Sequence, residues 1–273
     1  MLGKLMKYEI RATQRIFLPM YGLIFIFALL IRLFMSFNMQ NAQGMAVMPF
    51  AISMAIYCLL IAAVFVMTLV VTIQRFHKNL LGDEGYLSFT LPVTVHSHIS
   101  SKMIISLMWS VVSLIVSVLS VLILVNDPTT WEKIREFMHQ VGLMFTNKYA
   151  FWCGLIIVEL IALMLVGTLS CILQLYASVT VGNFSSKHKL LAGFGAFIGF
   201  SVVEQILTSF LISIGINLTS DSALRAFWNG TDDLGKLQSI AGVLGAGLAY
   251  EAVFGLAFYF LTNWLLSDKL NLE

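Results

Sequence analysis

What most constrains this chain is a set of six long apolar stretches, at residues 17–35, 48–73, 103–125, 151–176, 190–216 and 240–266. A helix needs about 20 apolar residues to cross a hydrocarbon core roughly 30 Å thick at about 1.5 Å per residue, and each stretch reaches about that length. A membrane barrel would instead show segments of about ten residues that alternate in polarity. Composition agrees with helices in lipid: 59% of the residues are hydrophobic and 11% are charged, against about 25% charged in soluble domains. The expected fold is an all-α integral membrane protein, a single transmembrane domain of six helices.

Lys and Arg set the orientation. With both termini on one side, that side holds Lys4, Lys7, Arg11, Arg15, Arg75, Lys78, Lys102, Lys187, Lys189 and Lys269, ten of the sixteen basic residues. The excess places both termini in the cytoplasm and the chain in the cell membrane as a multi-pass protein. Ahead of the first stretch, Leu2, Leu5, Met6 and Ile10 fall at helical spacing against Lys4, Lys7, Arg11, Gln14 and Arg15. Residues 1–15 therefore suit an amphipathic helix lying in the cytoplasmic interface, the plainer alternative being a basic flank that only fixes topology. The long apolar run that follows, with no small-residue cleavage site, argues against a removable signal peptide. On the outer side, Trp131, Ile134, Met138 and Val141 recur at helical spacing and suit a short amphipathic helix on the surface, whereas 217–239 reads as a loop.

Several chemistries have no residues to carry them. The chain lacks a phosphate-binding Gly-x-x-x-x-Gly-Lys-Ser/Thr loop, a His-Glu-x-x-His zinc helix and a Gly-x-Ser-x-Gly nucleophile turn. It is expected to be no enzyme, to bind no cofactor or metal itself, and to have no nucleic-acid partner. His96 and His98 form a His-x-His pair without a further ligand at metal spacing, which reads as a solvated loop. Cys58, Cys153 and Cys171, odd in number and all within apolar stretches, read as small hydrophobes rather than a disulfide framework. Asn217 and Asn229 open glycosylation triplets on the outer side, and Asn183 opens one on the inner side.

The informative polar segment is 74–102, between the second and third stretches. Gly82, Asp83, Glu84 and Gly85 break the chain, and Tyr86, Leu87, Phe89, Leu91 and Pro92 follow, large apolar groups where a loop should be polar. Such a patch marks a docking surface or lies back on the membrane. Here the sequence resembles the permease subunits of bacterial ABC exporters of the ABC-2 membrane family, some of which carry a loop very like GDEGYLSFTLPV at this place. A second stretch, Tyr176 to Gly182 followed by Lys187-His188-Lys189, is similar as well, and the resemblance extends loosely over the six-helix layout. It implies a coupling helix at Gly82, Asp83, Glu84, Gly85, Tyr86, Leu87, Phe89, Leu91 and Pro92 that fits a separate cytoplasmic ABC ATPase subunit. It also implies ATP and Mg on that ATPase, and a second permease chain, identical or related. No counterpart exists here of the large extracellular domain of lipid- and polysaccharide-releasing relatives.

Glu159, Glu204 and Glu251 are the acids inside the apolar stretches, on the fourth, fifth and sixth. An ionised carboxylate there costs several kcal/mol, so such groups face a cavity, pair with a base or take up a proton. By helical rise they lie at similar depth, roughly 12, 18 and 16 Å from the outer ends. They either line one outward-opening, cation-selective substrate cavity or serve as protonated packing groups. Gly195 with Gly199, and Ala241, Gly245 and Ala249, mark faces for close helix approach. The expected function is thus the permease subunit of an exporter of peptides or other amphipathic molecules. The rivals are a proton-coupled secondary transporter and a non-transporting membrane scaffold or sensor.

Overall fold

The computed structural model describes residues 2–37, 47–81, 94–146, 149–185, 188–218 and 233–268. Among the described residues helices account for every element: α1 (Leu2–Ser36), α2 (Met48–Phe76) running into a π-helical turn (His77–Leu81), α3 (Val95–Leu124), α4 (Pro128–Thr146), α5 (Ala150–Asn183), α6 (Lys189–Leu218) and α7 (Asp233–Asp268). All but α4 are long and apolar enough to cross a membrane, which gives six such helices and fits a multi-pass membrane protein. The helices outrun the apolar stretches because backbone hydrogen bonding continues into the polar flanks. At 34 residues, α5 is about 51 Å long, well beyond a hydrocarbon core. The chain divides into two compact units, 1–76 with 91–137 and 77–90 with 138–273, a division that hydropathy alone does not contain.

In the first unit α1, α2 and α3 pack on one another. The buried apolar positions of α1 are Phe17, Tyr21, Ile24, Ala28 and Ile31, and those of α2 include Tyr57, Val64 and Val71. Alternating steps of three and four, or of seven, are the 3.5-residue seam of a left-handed helical bundle. On α3 the seam is partly hydroxylic, with Lys102, Ser106, Trp109, Ser113, Ser117, Ser120 and Leu124 buried.

Residues 2–15 do not form a helix of their own. They form the first turns of an unbroken α1, because the seam already has partners there: Trp109 Nε1 donates to Thr13 Oγ1 at 2.8 Å, and Lys102 Nζ donates to Glu9 Oε1 at 2.6 Å. Pro19 sits within α1 on its exposed side, where the lost backbone donor breaks no interhelical contact.

In the second unit α6 and α7 both pack along α5. An added Cβ at Gly245 would meet Glu159 Oε1 at 3.3 Å, one at Gly247 would meet Leu163, and one at Gly255 would meet the Ser170 backbone at 3.6 Å. Partners rise together along both helices, so α5 and α7 run parallel. The α5–α6 hairpin closes on two glycines, since a Cβ at Gly182 would strike the Gly193 backbone nitrogen and come within 2.8 Å of the Lys189 carbonyl. This contact belongs to Gly193. Gly195 and Gly199 have nothing within 4 Å of an added Cβ, so the expected Gly-x-x-x-Gly contact is not made within the chain. Of the other expected stripe, Ala241 is buried and Gly245 faces α5, while Ala249 is exposed.

The segment around Trp131, Ile134, Met138 and Val141 is helical, as its spacing suggests, and forms α4 with Ile134 and Val141 half-buried. The segment 217–239, expected to be a loop, is helical at both ends: Asn217 and Leu218 close α6, and α7 begins at Asp233.

Candidate functional site

α6 and α7 bring two of the three acids together on the flank of α5. Glu204 and Glu251 are both half-buried and interact electrostatically with each other, and both act on Cys171 of α5. The backbone beside them is fixed by a hydroxyl bridge: Tyr250 on α7 accepts from Thr208 Oγ1 at 2.7 Å and donates to the Glu204 carbonyl at 3.0 Å. Below it, Phe200 and Phe258 pack with ring centroids 5.3 Å apart, and Gln174 Nε2 on α5 donates to Ser201 Oγ at 3.0 Å.

Glu159 stands apart from this pair. It lies twelve residues before Cys171 on α5, about 18 Å along the axis, and its carboxylate rests against Gly245, six residues before Glu251. Its Oε2 atom is buried without a hydrogen-bond partner. Counting depth from the ends of the apolar stretches did not put the three carboxylates in one place, because the register of α5 against α7 sets Glu159 level with Gly245, about 9 Å along the axis from Glu251.

Between residues 190 and 235, Arg225 is the only base, and none falls in 149–186 or 237–268. The nearest bases on their helices, Lys189 and Lys236, are each fifteen residues away, about 22 Å along the axis. Two carboxylates in electrostatic reach of each other on apolar helices are the kind of group that faces a cavity, pairs or takes up a proton.

The nine residues of the expected coupling helix, Gly82 to Pro92, lie outside the described residues. Their stems are ordered: α2 continues through the π-helical turn to Leu81, and α3 starts at Val95. This start corrects the loop reading of the His-x-His pair. His98 is buried and His96 exposed on the first turns of α3, and residues two apart on a helix point to different faces, so they cannot chelate one ion together. Cys58, Cys153 and Cys171 are free thiols.

Sequence reasoning missed a ladder of hydroxyls through the first unit. Ser113 Oγ lies 2.8 Å from Tyr21 Oη and 3.2 Å from Thr68 Oγ1, and Ser120 Oγ lies 2.8 Å from Tyr57 Oη. Ion pairs close both ends. Lys102 with Glu9 is nearly buried, at 6% and 13% side-chain exposure, and Arg32 with Asp127, at 3.0 Å, is more exposed. The available signal was the Ser106, Ser113, Ser117 and Ser120 spacing on α3, which follows the seam of a helix that is mostly apolar beyond Lys102. No protein-family model, curated protein or solved structure matches this chain, so its own residues carry the functional reading.

Proposed function

We propose that this chain is the membrane-spanning permease subunit of an ATP-driven exporter of the ABC-2 type. The observation that carries the reading is the GDEGYLSFTLP segment at 82–92, set between the second and third of six helices fit to cross a membrane. In this reading both termini are cytoplasmic, and the segment docks on a separate ATPase subunit that holds ATP and Mg. A second permease chain completes the pathway, and the helices alternate between inward and outward openings. An amphipathic substrate such as a peptide is moved, with Glu204 and Glu251 beside its path. The test is purification from native membrane: an ABC ATPase is expected in stoichiometric amount. Its loss is expected when Asp83 and Glu84 are replaced together by Lys, with the permease still inserted. Purification of the wild-type chain free of any ATPase would overturn the reading.

The electrostatic interaction of Glu204 and Glu251, with the nearest base on either helix fifteen residues away, favours one second reading, a proton-coupled secondary transporter. Transport that persists in vesicles with the proton gradient collapsed and ATP supplied supports the exporter. Transport that stops on collapse, and is lost in Glu204→Gln or Glu251→Gln, supports the second reading.

A further inference from the structure

One stripe of α1 is turned away from the seam. Lys7, Arg11 and Arg15 stand on it one turn apart, and Leu18, Gly22, Ile26 and Leu29 continue it at steps of three and four, all of them exposed. An added Cβ at Gly22 meets nothing within 4 Å, so the apolar part of the stripe is notched by open space at that turn. Because α1 is unbroken from Leu2, the cations and the apolar residues lie in line along one helix face.

The cations have no acid beside them. Glu9, the acid of α1, is taken by Lys102, and Lys7, Arg11 and Arg15 enter no ion pair or side-chain hydrogen bond among the described residues. Beside them runs an open groove of about 460 Å³, with Lys7, Arg11 and Gln14 around half-buried Met6 and Ile10. By helical rise Arg15 and Arg11 lie roughly 3 and 9 Å before the apolar run that opens at Phe17. A head-group layer is roughly 5–8 Å thick, so the two arginines bracket the level of the lipid phosphates, with Lys7 one turn beyond. From Leu18 to Leu29 the stripe rises about 16 Å, close to the hydrocarbon depth of one leaflet.

We propose that this stripe binds an anionic phospholipid, its phosphate held by Arg11 and Arg15 and an acyl chain laid along Leu18 to Leu29. Guanidinium groups suit phosphate because their planar donors take two oxygens at once. A zwitterionic lipid brings its own cation beside the phosphate and gains less from added positive charge, so head-group charge is what the stripe selects. An acidic protein surface would match the cations but not the apolar residues in line with them, which favours a lipid. The proposal needs α1 to cross a membrane and does not rest on the exporter reading.

The test uses the purified full-length chain in phosphatidylcholine bilayers containing a trace of spin-labelled lipid. Spin-labelled phosphatidylglycerol is expected to associate about fivefold or more above spin-labelled phosphatidylcholine, the worth of one base near an anionic head group. Arg11→Gln with Arg15→Gln is expected to bring that ratio close to one, while Arg11→Lys with Arg15→Lys keeps most of it. Both pairs should retain the wild-type unfolding midpoint, which separates lost binding from lost folding. Lys133→Gln with Arg135→Gln on α4 removes the same charge and should leave the ratio as it was. A wild-type ratio of one would assign the cations to an acidic protein surface and overturn the site, and so would an equal fall for the α1 and α4 pairs. A photoreactive group on the acyl chain of phosphatidylglycerol should label Leu18 to Leu29 more than the same group on phosphatidylcholine, and equal labelling overturns the proposal. Soluble glycerophosphoglycerol should not compete, whereas competition at equal concentration would make the occupant a free phosphate ester and overturn the lipid assignment.

Discussion

The two units solve the same problem with different forces. Lipid tails are as apolar as leucine, so helices in a membrane are not driven together by hydrophobic burial and need hydrogen bonds or close van der Waals packing. The first unit uses directional bonds, with Tyr21, Thr68 and Tyr57 reaching the serines of α3 and an ion pair at each end. The second has fewer such bonds, at Tyr250 and Gln174, and adds close backbone approach through Gly182, Gly193, Gly245 and Gly255, with two neighbouring acids whose nearest helical bases are fifteen residues away. Hydrogen bonds fix register, because a slip of one residue breaks all of them. Glycine contacts are short-ranged and fix distance more than register. On this comparison the first unit is the stiffer body, and the second is the one able to change its packing around Glu204 and Glu251.

The largest effect that could break this contrast is expected at the nearly buried ion pair. Glu9→Gln removes the carboxylate that compensates Lys102 and should cost about 3 kcal/mol of stability, since losing one partner of a buried pair leaves its charge poorly compensated. A denaturation midpoint unchanged by this substitution would show that the pair does not hold the first unit together. Next comes Gly182→Ala, whose Cβ has no room against Gly193 and Lys189. A loss of roughly 1–3 kcal/mol, as for overpacking, is expected. Gly199→Ala, on open space, should be neutral in the same denaturation assay. Equal effects at the two glycines would remove close packing as the basis of the second unit.

Smaller changes sharpen the picture of the hydroxyl ladder. Ser113→Ala deletes the partner of both Tyr21 and Thr68 and should cost about 1 kcal/mol, at roughly 0.6 kcal/mol per membrane hydrogen bond. Ser110→Ala is the control, because the Ser110 hydroxyl bonds only the Ser106 carbonyl of its own helix. A ratio near one between the two losses would mean that the interhelical bonds contribute nothing. The smallest effect is expected for Asp127→Asn at the exposed pair with Arg32, at most about 0.5 kcal/mol and vanishing in high salt. A loss as large as that of Glu9→Gln would erase the distinction between the two ends of the unit.

Particular residues show where sequence reading succeeds and where it stops. The apolar runs and the stripe from Trp131 to Val141 announce helices that are present. Glu204 and Glu251 were legible as costly acids within apolar stretches. Their grouping with each other and not with Glu159 was not, because the register that sets Glu159 level with Gly245 comes from how α5 packs on α7 and cannot be counted from the ends of the apolar stretches. The role of Ser113 was hidden for a related reason: on a helix that is mostly apolar beyond Lys102, no polar face points away from the core and the seam leaves little hydropathy contrast. Gly195 and Gly199 had the stronger motif, yet Gly193 makes the contact, since a glycine matters only where another backbone arrives.

The sequence by itself determined the number and kind of long helices, because whether a segment of about 20 residues suits lipid depends on its own side chains and backbone alone. Only the tertiary structure decided that α1 runs unbroken from Leu2, that Lys102 takes Glu9 in a cavity shared with Arg75, and that the helices gather as two units. Those outcomes depend on which faces meet, and contact across tens of residues of chain is set by steric fit and by the pairing of buried polar groups, neither of which is a property of any one segment.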